Sequence, residues 1–405
     1  MRHDPEALVQ RLVSPPFVAD PYPVFNRLRE VAPMHRSELG FWCASDHRSC
    51  AEVYRSSRLG LGFGAARLEQ DPRYAESLSL QTFGHMLPFI DPPDHTRIRR
   101  LLAPYFTPKN IDGMRHYTEE LVDRLLDGLA EAGGGDLVAD FAEDIPVAVA
   151  CQLLGGMGES DQDQCRDWAE GLVEAVHPVV TDEMMRHADE AAEGFRAYFL
   201  GLVAANDGSG RDLMSQLIAE QRAGVIDTDE LLATATTLVG AAYHNTRNHI
   251  ATGIWTLLRH PDQLARLRDD PGKARAAVEE LLRFEPPVQL SLPRVALEDL
   301  SMGGVAVRAG EQVCAFLGGA NRDPARYAEP DRFDIDRRDG GSLALASGIH
   351  SCIGAAMARM EGEIAIGAFF ERFSHVELVD EEPTLDEPGL PLTRGFTEVR
   401  VEVAV

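Results

Sequence analysis

The chain has 405 residues, of which 44% are hydrophobic, and its 39 basic against 65 acidic side chains give a formal net charge of −26. A chain of this length and apolar content can bury a large core. The negative charge argues against nucleic acid or an anionic membrane as a partner. The amino terminus lacks the apolar core of a signal peptide and no stretch is long enough to cross a bilayer, so we expect a soluble, cytoplasmic protein.

Helical periodicity dominates the sequence and predicts helices over residues 112–132, 182–205, 229–259 and 273–284. From residue 294 to 317 the pattern changes to short β-rich runs, in which Gly303-Gly304 predicts a hairpin turn. Polar and apolar residues alternate over 398–405, which predicts a last strand. No long Ser-, Gly- or Pro-rich linker divides the chain. We therefore expect a mainly α fold, one helical domain over residues 1–405 with a small β-rich region.

Two basic residues follow the Pro92-Pro93 break. His95 and Arg99 are four residues apart on the helix that starts there, so both can point at one anionic group. The alternative is an ordinary basic helix face that also includes Arg97 and Arg100.

Glu280 and Arg283 are three residues apart in a run rich in Ala, Leu and Glu. They share one helix face and can form a bidentate ion pair. From the spacing alone, a solvated surface pair is the simpler interpretation.

The stretch Ser347-Gly348-Ile349-His350-Ser351-Cys352-Ile353-Gly354 places one cysteine between glycines. A sulfur that ligates haem iron must be held as thiolate and approached closely by backbone, so glycines and amide donors are expected around it. Cys352 is therefore our candidate metal ligand. Two alternatives are an inert packing cysteine and a zinc site with His350 and Cys314, although no CxxC pair supports zinc.

The other cysteines follow no metal or disulfide spacing, which fits a reducing compartment. We expect all five to be packing residues: Cys43, Cys50, Cys151, Cys165 and Cys314.

Over nearly its whole length the sequence resembles a bacterial cytochrome P450 of the soluble, ferredoxin-dependent class. Four motifs occur in the order of that family: Asp91-Pro92-Pro93-Asp94-His95-Thr96-Arg97-Ile98-Arg99, Glu280-Leu281-Leu282-Arg283, Ala320-Asn321-Arg322-Asp323-Pro324 and the Cys352 loop. The resemblance implies haem b as cofactor, with Cys352 as the iron ligand. It also implies that an arginine of the later meander joins the Glu280–Arg283 pair. The implied haem contacts are His95, Arg99, Arg294, His350, Cys352 and Gly354, of which His95, Arg99, Arg294 and His350 hold the propionates.

The Cys352 loop departs from the family pattern at two positions. Leu345 and Ala346 stand where the family usually has phenylalanine and glycine. The aromatic ring normally packs beside the sulfur, so leucine changes how the thiolate is shielded.

The long central helix departs further, since it reads Ala241-Ala242-Tyr243-His244-Asn245-Thr246. Aligned without gaps, His244 takes the place of the family's acid and Asn245 that of its threonine, whereas a one-residue slip makes Thr246 the alcohol. The usual acid and alcohol relay protons during dioxygen activation. Asn245 cannot readily relay a proton, while His244 can if it faces the pocket. The predicted catalytic residues are Asn245, His244, Ala242 and Thr246.

The resemblance also predicts the walls of the substrate pocket. They are Met86, Leu87, Ala241, Leu290, Ser291, Leu292, Leu392 and Thr393.

These features predict a haem-thiolate monooxygenase that oxidises a small organic substrate in specialised metabolism. One alternative is oxidative coupling or cyclisation of a peptide-like or aromatic substrate without net oxygen insertion. Another is a haem protein that binds a small ligand without turnover. Electrons are expected from NAD(P)H through a ferredoxin reductase and a ferredoxin, by family analogy.

Overall fold

The computed structural model describes residues 4–14, 18–61, 75–155, 157–176, 180–380, 382–386 and 391–405. Helices make up most of this part of the chain, which confirms the predicted mainly α fold. The helices are α1 Pro5–Val13, α2 Tyr22–Val31, α3 His47–Arg55, α4 Leu78–Phe83, α5 Asp94–Leu102, α6 Pro108–Asp112, α7 Arg115–Ala132, α8 Asp144–Leu154, α9 Gln162–Val173, α10 Asp182–Ala205, α11 Leu213–Arg222, α12 Thr228–Leu258, α13 Pro261–Asp269, α14 Ala274–Phe284, α15 Leu317–Ala320 and α16 Ala355–Arg372. Short 3₁₀ turns occupy Leu87–Phe89, Glu159–Asp161, Glu174–Val176, Pro271–Lys273 and Gly348–His350, and a π turn occupies Val138–Ala142.

The strands are short and form four small sheets within the described residues. They are β1 Met34–Arg36, β2 Phe41–Ala44, β3 Leu59–Gly60, β4 Gly134–Asp136, β5 Arg294–Ala296, β6 Leu300–Met302, β7 Val305–Val307, β8 Gln312–Ala315, β9 His375–Leu378, β10 Thr384–Leu385, β11 Phe396–Glu398 and β12 Arg400–Ala404. The largest sheet has the order β1-β2-β8-β5-β3, in which β2 and β8 are parallel. This small β-rich region agrees with the prediction.

The central helix α12 organises the helical part of the molecule. It starts with a capping box, in which Asp227 accepts the Glu230 backbone N–H at 2.8 Å and Glu230 accepts the Asp227 N–H at 3.0 Å. Nearly all of its length is buried, and it packs against α8, α9, α14 and α16. Surrounding helices therefore fix the positions of its buried side chains.

The predicted helices are confirmed with small shifts at their ends. The helix expected over 112–132 begins later, at Arg115. Gly113 ends the short helix α6 with its N–H bonded to the Lys109 carbonyl, so the chain turns before α7 starts. No helix in the described part of the chain combines the length and apolarity needed to span a membrane.

The predicted hairpin and the last strand are both present. Gly303 and Gly304 have φ of +54° and +83° and join β6 to β7, which is the positive-φ pair that a two-residue turn requires. The last strand is shorter than the expected 398–405, because Val399 separates β11 from β12, and β12 pairs with β4 and β9.

Glu280 and Arg283 form a buried ion pair, and the surface interpretation is wrong. Both side chains are 3% exposed, and Arg283 donates from Nε and Nη2 to the two carboxylate oxygens at 2.7 Å each. Arg337 is the meander arginine that joins them, donating from Nε to Glu280 at 3.1 Å. The two arginines also bind backbone carbonyls of the meander, including Pro330 and Arg332. The pair therefore fastens α14 to residues 321–339 behind the Cys352 loop.

Replacing Arg337 with alanine should lower the free energy of unfolding by about 2–5 kcal/mol, because Glu280 loses one buried charged partner and several carbonyls lose their donor. Arg308→Ala is the matched control, since its pair with Asp299 is 70% and 60% exposed and its loss should change the free energy of unfolding far less. Urea denaturation of both variants measures the difference. Equal losses would contradict the role of the buried network.

Candidate functional site

A cavity of about 300 Å³ separates the central helix α12 from the loop that precedes α16. Its apolar walls come from Leu87, Pro88, Phe106, Leu238, Leu282, Pro287, Val288, Leu317 and Met357. Its polar groups are few, and they gather at two places described below. A mainly apolar cavity with fixed polar groups is typical of a site for a small organic ligand.

Cys352 opens onto this cavity. Its accessible surface faces the cavity inside the protein, while the other five cysteines are buried, as expected for packing residues. The Cys352 N–H donates to the Leu345 carbonyl at 2.9 Å, which closes the loop behind the sulfur. Burial raises the pKa of the Cys352 thiol, whereas the Gly354 amide and the charge of Arg99 lower it. Gly354 thus supports the sulfur directly.

The backbone of this loop explains part of the sequence pattern. Gly348 has φ of +75°, and a Cβ there would lie 2.4 Å from the Tyr54 carbonyl oxygen. Ala346 also has a positive φ, of +57°. An L-residue in this conformation costs roughly 1 kcal/mol or more, which accounts for the glycine that the family usually has there.

The second polar group is a cluster of His95, Arg99 and His350, which line the cavity, with Arg294 beside the two histidines. The two imidazole rings lie 4.2 Å apart, and Arg99 Nη2 donates to Ser351 Oγ at 3.2 Å. His95 Nε2, His350 Nε2 and Arg294 Nε are buried without a hydrogen-bond partner among the described residues. Asp91 is the nearest carboxylate, with Oδ1 3.9 Å from His350 Nε2. Unpaired polar atoms beside two guanidinium groups suit an anionic ligand.

Burial sets the charge of this cluster. It lowers the pKa of His95 to about 4, assisted by His350 and Arg99, and it also lowers the pKa of His350. His95 is therefore neutral at pH 7, and the positive charge of the cluster rests on Arg99 and Arg294. A neutral imidazole still has one N–H to donate.

One side of α12 forms the wall opposite Cys352. The cavity-lining residues of this helix are Thr237, Leu238, Ala241, Ala242, Asn245, Thr246 and His249. They follow one another at alternating separations of one and three residues, which places them on a single helix face. Ala241 and Ala242 carry the smallest side chains of the set and leave space in front of the sulfur.

Asn245 and Thr246 both reach the cavity, in different ways. Asn245 Nδ2 donates to the Ala241 carbonyl at 3.3 Å, and its Oδ1 has no partner among the described residues. The donation fixes the amide orientation, because a flipped amide would place two oxygens against each other. Thr246 lines the cavity together with Glu361 of α16, whose pKa is raised well above its usual value by burial.

The structure does not bring His244 to the cavity. Its ring packs edge-on against Tyr243, with ring centroids 4.8 Å apart, and lies near the Ala169 backbone in α9. Burial lowers its pKa to about 3, so at neutral pH the ring is neutral and is not an imidazolium that could act as an acid. The catalytic role predicted for His244 gains no support from this position.

The predicted substrate contacts are only partly brought together. Leu87 and Ala241 line the cavity, and Thr393 pairs with the lining residue Val288 through a backbone bridge. The remaining five are not among the lining residues: Met86, Leu290, Ser291, Leu292 and Leu392.

Ser291 shows why these residues are not among the lining. Its Oγ accepts the Ala315 N–H at 2.8 Å, so it serves the backbone of β8. Leu290 packs beside Phe316 in the amino-terminal core. The residues missed on α12, Thr237 and Leu238, lie one turn before Ala241, and helical periodicity could have identified them.

The zinc alternative is wrong for the part of the chain that the structure describes. Cys314 is buried in β8 and donates to the Ser291 carbonyl at 3.1 Å. No group of three or more His, Cys, Asp or Glu side chains is placed to hold a metal ion there.

Comparison with known proteins decides the family. A family model described as Cytochrome P450 matches residues 67–399. The chain belongs to the cytochrome P450 family.

Relatives of this P450 cover almost the whole chain. It is 35% identical over 395 residues to cytochrome P450 monooxygenase PikC of Streptomyces venezuelae, covering 94% of this chain and 90% of PikC. It is 35% identical over 403 residues to vitamin D(3) 25-hydroxylase of Pseudonocardia autotrophica, covering 96% and 91%. The solved structure of CxnD, a P450 for C–S bond formation in chuangxinmycin biosynthesis, has a TM-score of 0.88 and 31% identity, covering 97% of this chain and 96% of CxnD.

This P450 is thus an oxidoreductase of the monooxygenase type with haem b as cofactor. The residues present fit that group. Cys352 offers a sulfur inside the cavity, and His95, Arg294 and His350 have buried donors free for two propionates. The assignment of individual haem contacts remains a proposal built on this fit.

Arg99→Leu should accelerate haem transfer from the holoenzyme to apomyoglobin by about tenfold or more, since a charge-assisted hydrogen bond contributes about 1.5–3 kcal/mol. Arg100→Leu is the matched control, because Arg100 is the next residue of α5 and is exposed. Stopped-flow absorbance at the Soret band follows the transfer. Equal rates for the two variants would remove Arg99 from the propionate cluster.

Proposed function

We propose that this P450 inserts one oxygen atom of dioxygen into a small, apolar organic molecule in specialised metabolism. The observation that carries the proposal is the shared cavity, in which the Cys352 sulfur and the small side chains of Ala241 and Ala242 border the same apolar space. An apolar substrate would be held there by contact and by exclusion of water. The curated relatives include a named monooxygenase and a named hydroxylase.

When bound, haem b with a thiolate ligand supplies the oxidising chemistry. The chain's own groups have separate tasks. Cys352 provides the thiolate, and Arg99 and Arg294 hold the cofactor's carboxylates. Leu87 and Val288 shape the substrate space by apolar contact. Electrons are proposed to come from NAD(P)H through a ferredoxin reductase and a ferredoxin.

Asn245 gives the substrate space its hydrogen-bond acceptor. Because its Nδ2 is bonded to Ala241, the unpaired Oδ1 is the atom that remains available. A substrate N–H or O–H would satisfy this oxygen. The proposed substrate is therefore an apolar molecule with a donor group close to the oxidised atom.

Oxidative coupling is the second candidate. An amide stands at Asn245 where the gapless alignment places the family's alcohol, and one similar structure, CxnD, is named for C–S bond formation. In coupling, two hydrogens are removed from the substrate and a new bond forms between substrate atoms. No oxygen atom from dioxygen enters the product.

Turnover under ¹⁸O₂ separates the two candidates. Vitamin D3 and a panel of apolar alcohols and amides are first screened for the absorbance change that binding near the iron causes. Bound compounds are then supplied with NADPH, ferredoxin and ferredoxin reductase, and products are analysed by mass spectrometry. We expect one ¹⁸O atom in the product. A product that has lost two hydrogens and carries no label would establish coupling and overturn the insertion proposal.

A further inference from the structure

Arg247 is a buried arginine of the central helix α12 that plays no part in the functions assigned above. It is 4% exposed and is not among the residues that line the cavity. Its Nη2 donates to Asp386 Oδ2 at 2.5 Å, and Asp386 is itself 8% exposed. Burying a guanidinium and a carboxylate costs desolvation, which only good pairing offsets. This pair therefore needs an explanation.

Three further contacts hold the Arg247 side chain in one orientation. Its Nε donates to Asn248 Oδ1 at 3.2 Å, and its Nη1 donates to Glu143 Oε1 at 3.4 Å. The central carbon of the guanidinium lies 5.3 Å from the centre of the Tyr243 ring. Because the planar guanidinium is held on several sides, Asp386 binds to a fixed point on α12.

Asp386 and Gly395 form a junction between the two arms of the C-terminal hairpin, and we call them the C-terminal junction. Asp386 follows β10, and its N–H donates to the carbonyl of Gly395 at 3.0 Å, just before β11. Gly395 packs against the same part of α12, since a Cβ built there would lie 2.2 Å from Asn248 Cγ. Arg247 and Asn248 thus contact both sides of the C-terminal junction.

The residues directly before Gly395 support one wall of the cavity. The Arg394 N–H donates to the Pro287 carbonyl at 2.7 Å, and Thr393 pairs with Val288 through a backbone bridge. Pro287 and Val288 line the cavity. A displacement of the C-terminal junction would therefore reach two lining residues through backbone hydrogen bonds.

We propose that Arg247 is a positioning residue for substrate recognition, because it holds the C-terminal junction on α12 and so sets how far Pro287 and Val288 reach into the cavity. The same helix carries Ala241 into the cavity, so one element positions both walls of the substrate space. This proposal rests on the proposed function in one respect, that the cavity holds the substrate. Without the anchor, the fit of a ligand against the wall of residues 287–288 is lost, while the space beside Cys352 is unchanged.

The first test measures backbone exchange in the holoenzyme and does not use activity. In Arg247→Leu, amide hydrogen exchange in residues 286–290 and 391–396 should become roughly tenfold faster, because the hydrogen bonds between these segments open more often. Residues 274–284 of α14, which directly precede the wall, should exchange at the wild-type rate. Unchanged exchange in the two segments, or equal acceleration across the whole chain, would overturn the proposal.

Arg166→Leu is the matched control for the exchange measurement. Arg166 lies on α9, which also packs against α12, and it pairs with Asp144 and Asp163. Its replacement removes a partly buried ion pair of the same kind without touching the C-terminal junction. Exchange in residues 286–290 and 391–396 should therefore match the wild type.

Two further variants keep the test decisive if Arg247→Leu does not fold. Asp386→Ala removes the contact from the other side and leaves Arg247 bonded to Glu143 and Asn248. Gly395→Ala keeps the ion pair but forces the C-terminal junction away from Asn248. Both variants should accelerate exchange in the same two segments. Arg247→Lys should restore part of the protection, since it keeps the charge but not the planar set of donors.

The second test measures whether the wall contributes to ligand binding. Imidazole and 4-phenylimidazole are titrated against the holoenzyme, and the shift of the Soret band reports binding. In Arg247→Leu the dissociation constant of 4-phenylimidazole should rise roughly tenfold, because the apolar phenyl group loses contact with the displaced wall. Imidazole lacks the phenyl group, and its dissociation constant should change by less than about twofold, as the loss of apolar contact does not affect it.

The two ligands separate failure of this proposal from failure of the proposed function. Equal changes for both ligands in Arg247→Leu, or no change for either, would overturn the positioning role and leave the monooxygenase proposal intact. A wild-type protein without haem-thiolate ligation would instead overturn the proposed function, and with it the role of the wall in substrate recognition.

Discussion

The chemistry of this protein depends on holding one thiol in a mainly apolar cavity. Burial opposes the charged form of Cys352, so the fold has to supply groups that favour it. The Gly354 amide and the Arg99 guanidinium do so from two directions. The hydrogen bond from the Cys352 N–H to Leu345 keeps the loop closed behind the sulfur. The positions of α12, α16 and the arginine cluster matter for function because these elements surround the cavity onto which the Cys352 sulfur opens.

Rigid support for the sulfur comes from the far side of the loop. The buried contact of Glu280 with Arg283 and Arg337 ties α14 to the meander, and the meander leads directly into residues 343–354. Such a network costs desolvation and is favourable only when all of its donors and acceptors are paired. Here the two guanidinium groups also bind several backbone carbonyls. The loop is thereby held from behind while the cavity stays open in front.

The sequence predicted those features that follow from local spacing. Three-residue separation placed Glu280 and Arg283 on one face, and Gly303-Gly304 specified a turn that only residues at positive φ can form. Cys352 stood out because glycines flank a lone cysteine. Burial of the Glu280 pair could not be predicted from spacing, since the same pattern is common on surfaces.

Features that depend on distant packing were not predictable in the same way. Ser291 was assigned to the pocket, but its hydroxyl serves the backbone of β8, a contact that only the sheet register reveals. His244 points away from the cavity because of the rotation of α12 against α9. No sequence pattern predicted the burial of Glu361, because a single glutamate in a helix is ordinarily exposed to solvent. Its burial depends on how closely α16 packs against α12.

The most direct measurement is the absorption spectrum of the dithionite-reduced protein with carbon monoxide, recorded beside Cys352→His. The wild-type protein should show the long-wavelength Soret band of thiolate-ligated haem, and the variant should lose it. Cys314→Ser is the matched control, because Cys314 is buried in β8 and away from the cavity, and it should keep the band. A histidine-type band in the wild-type protein, or no haem at all, would contradict the assignment of Cys352 and with it the proposed function.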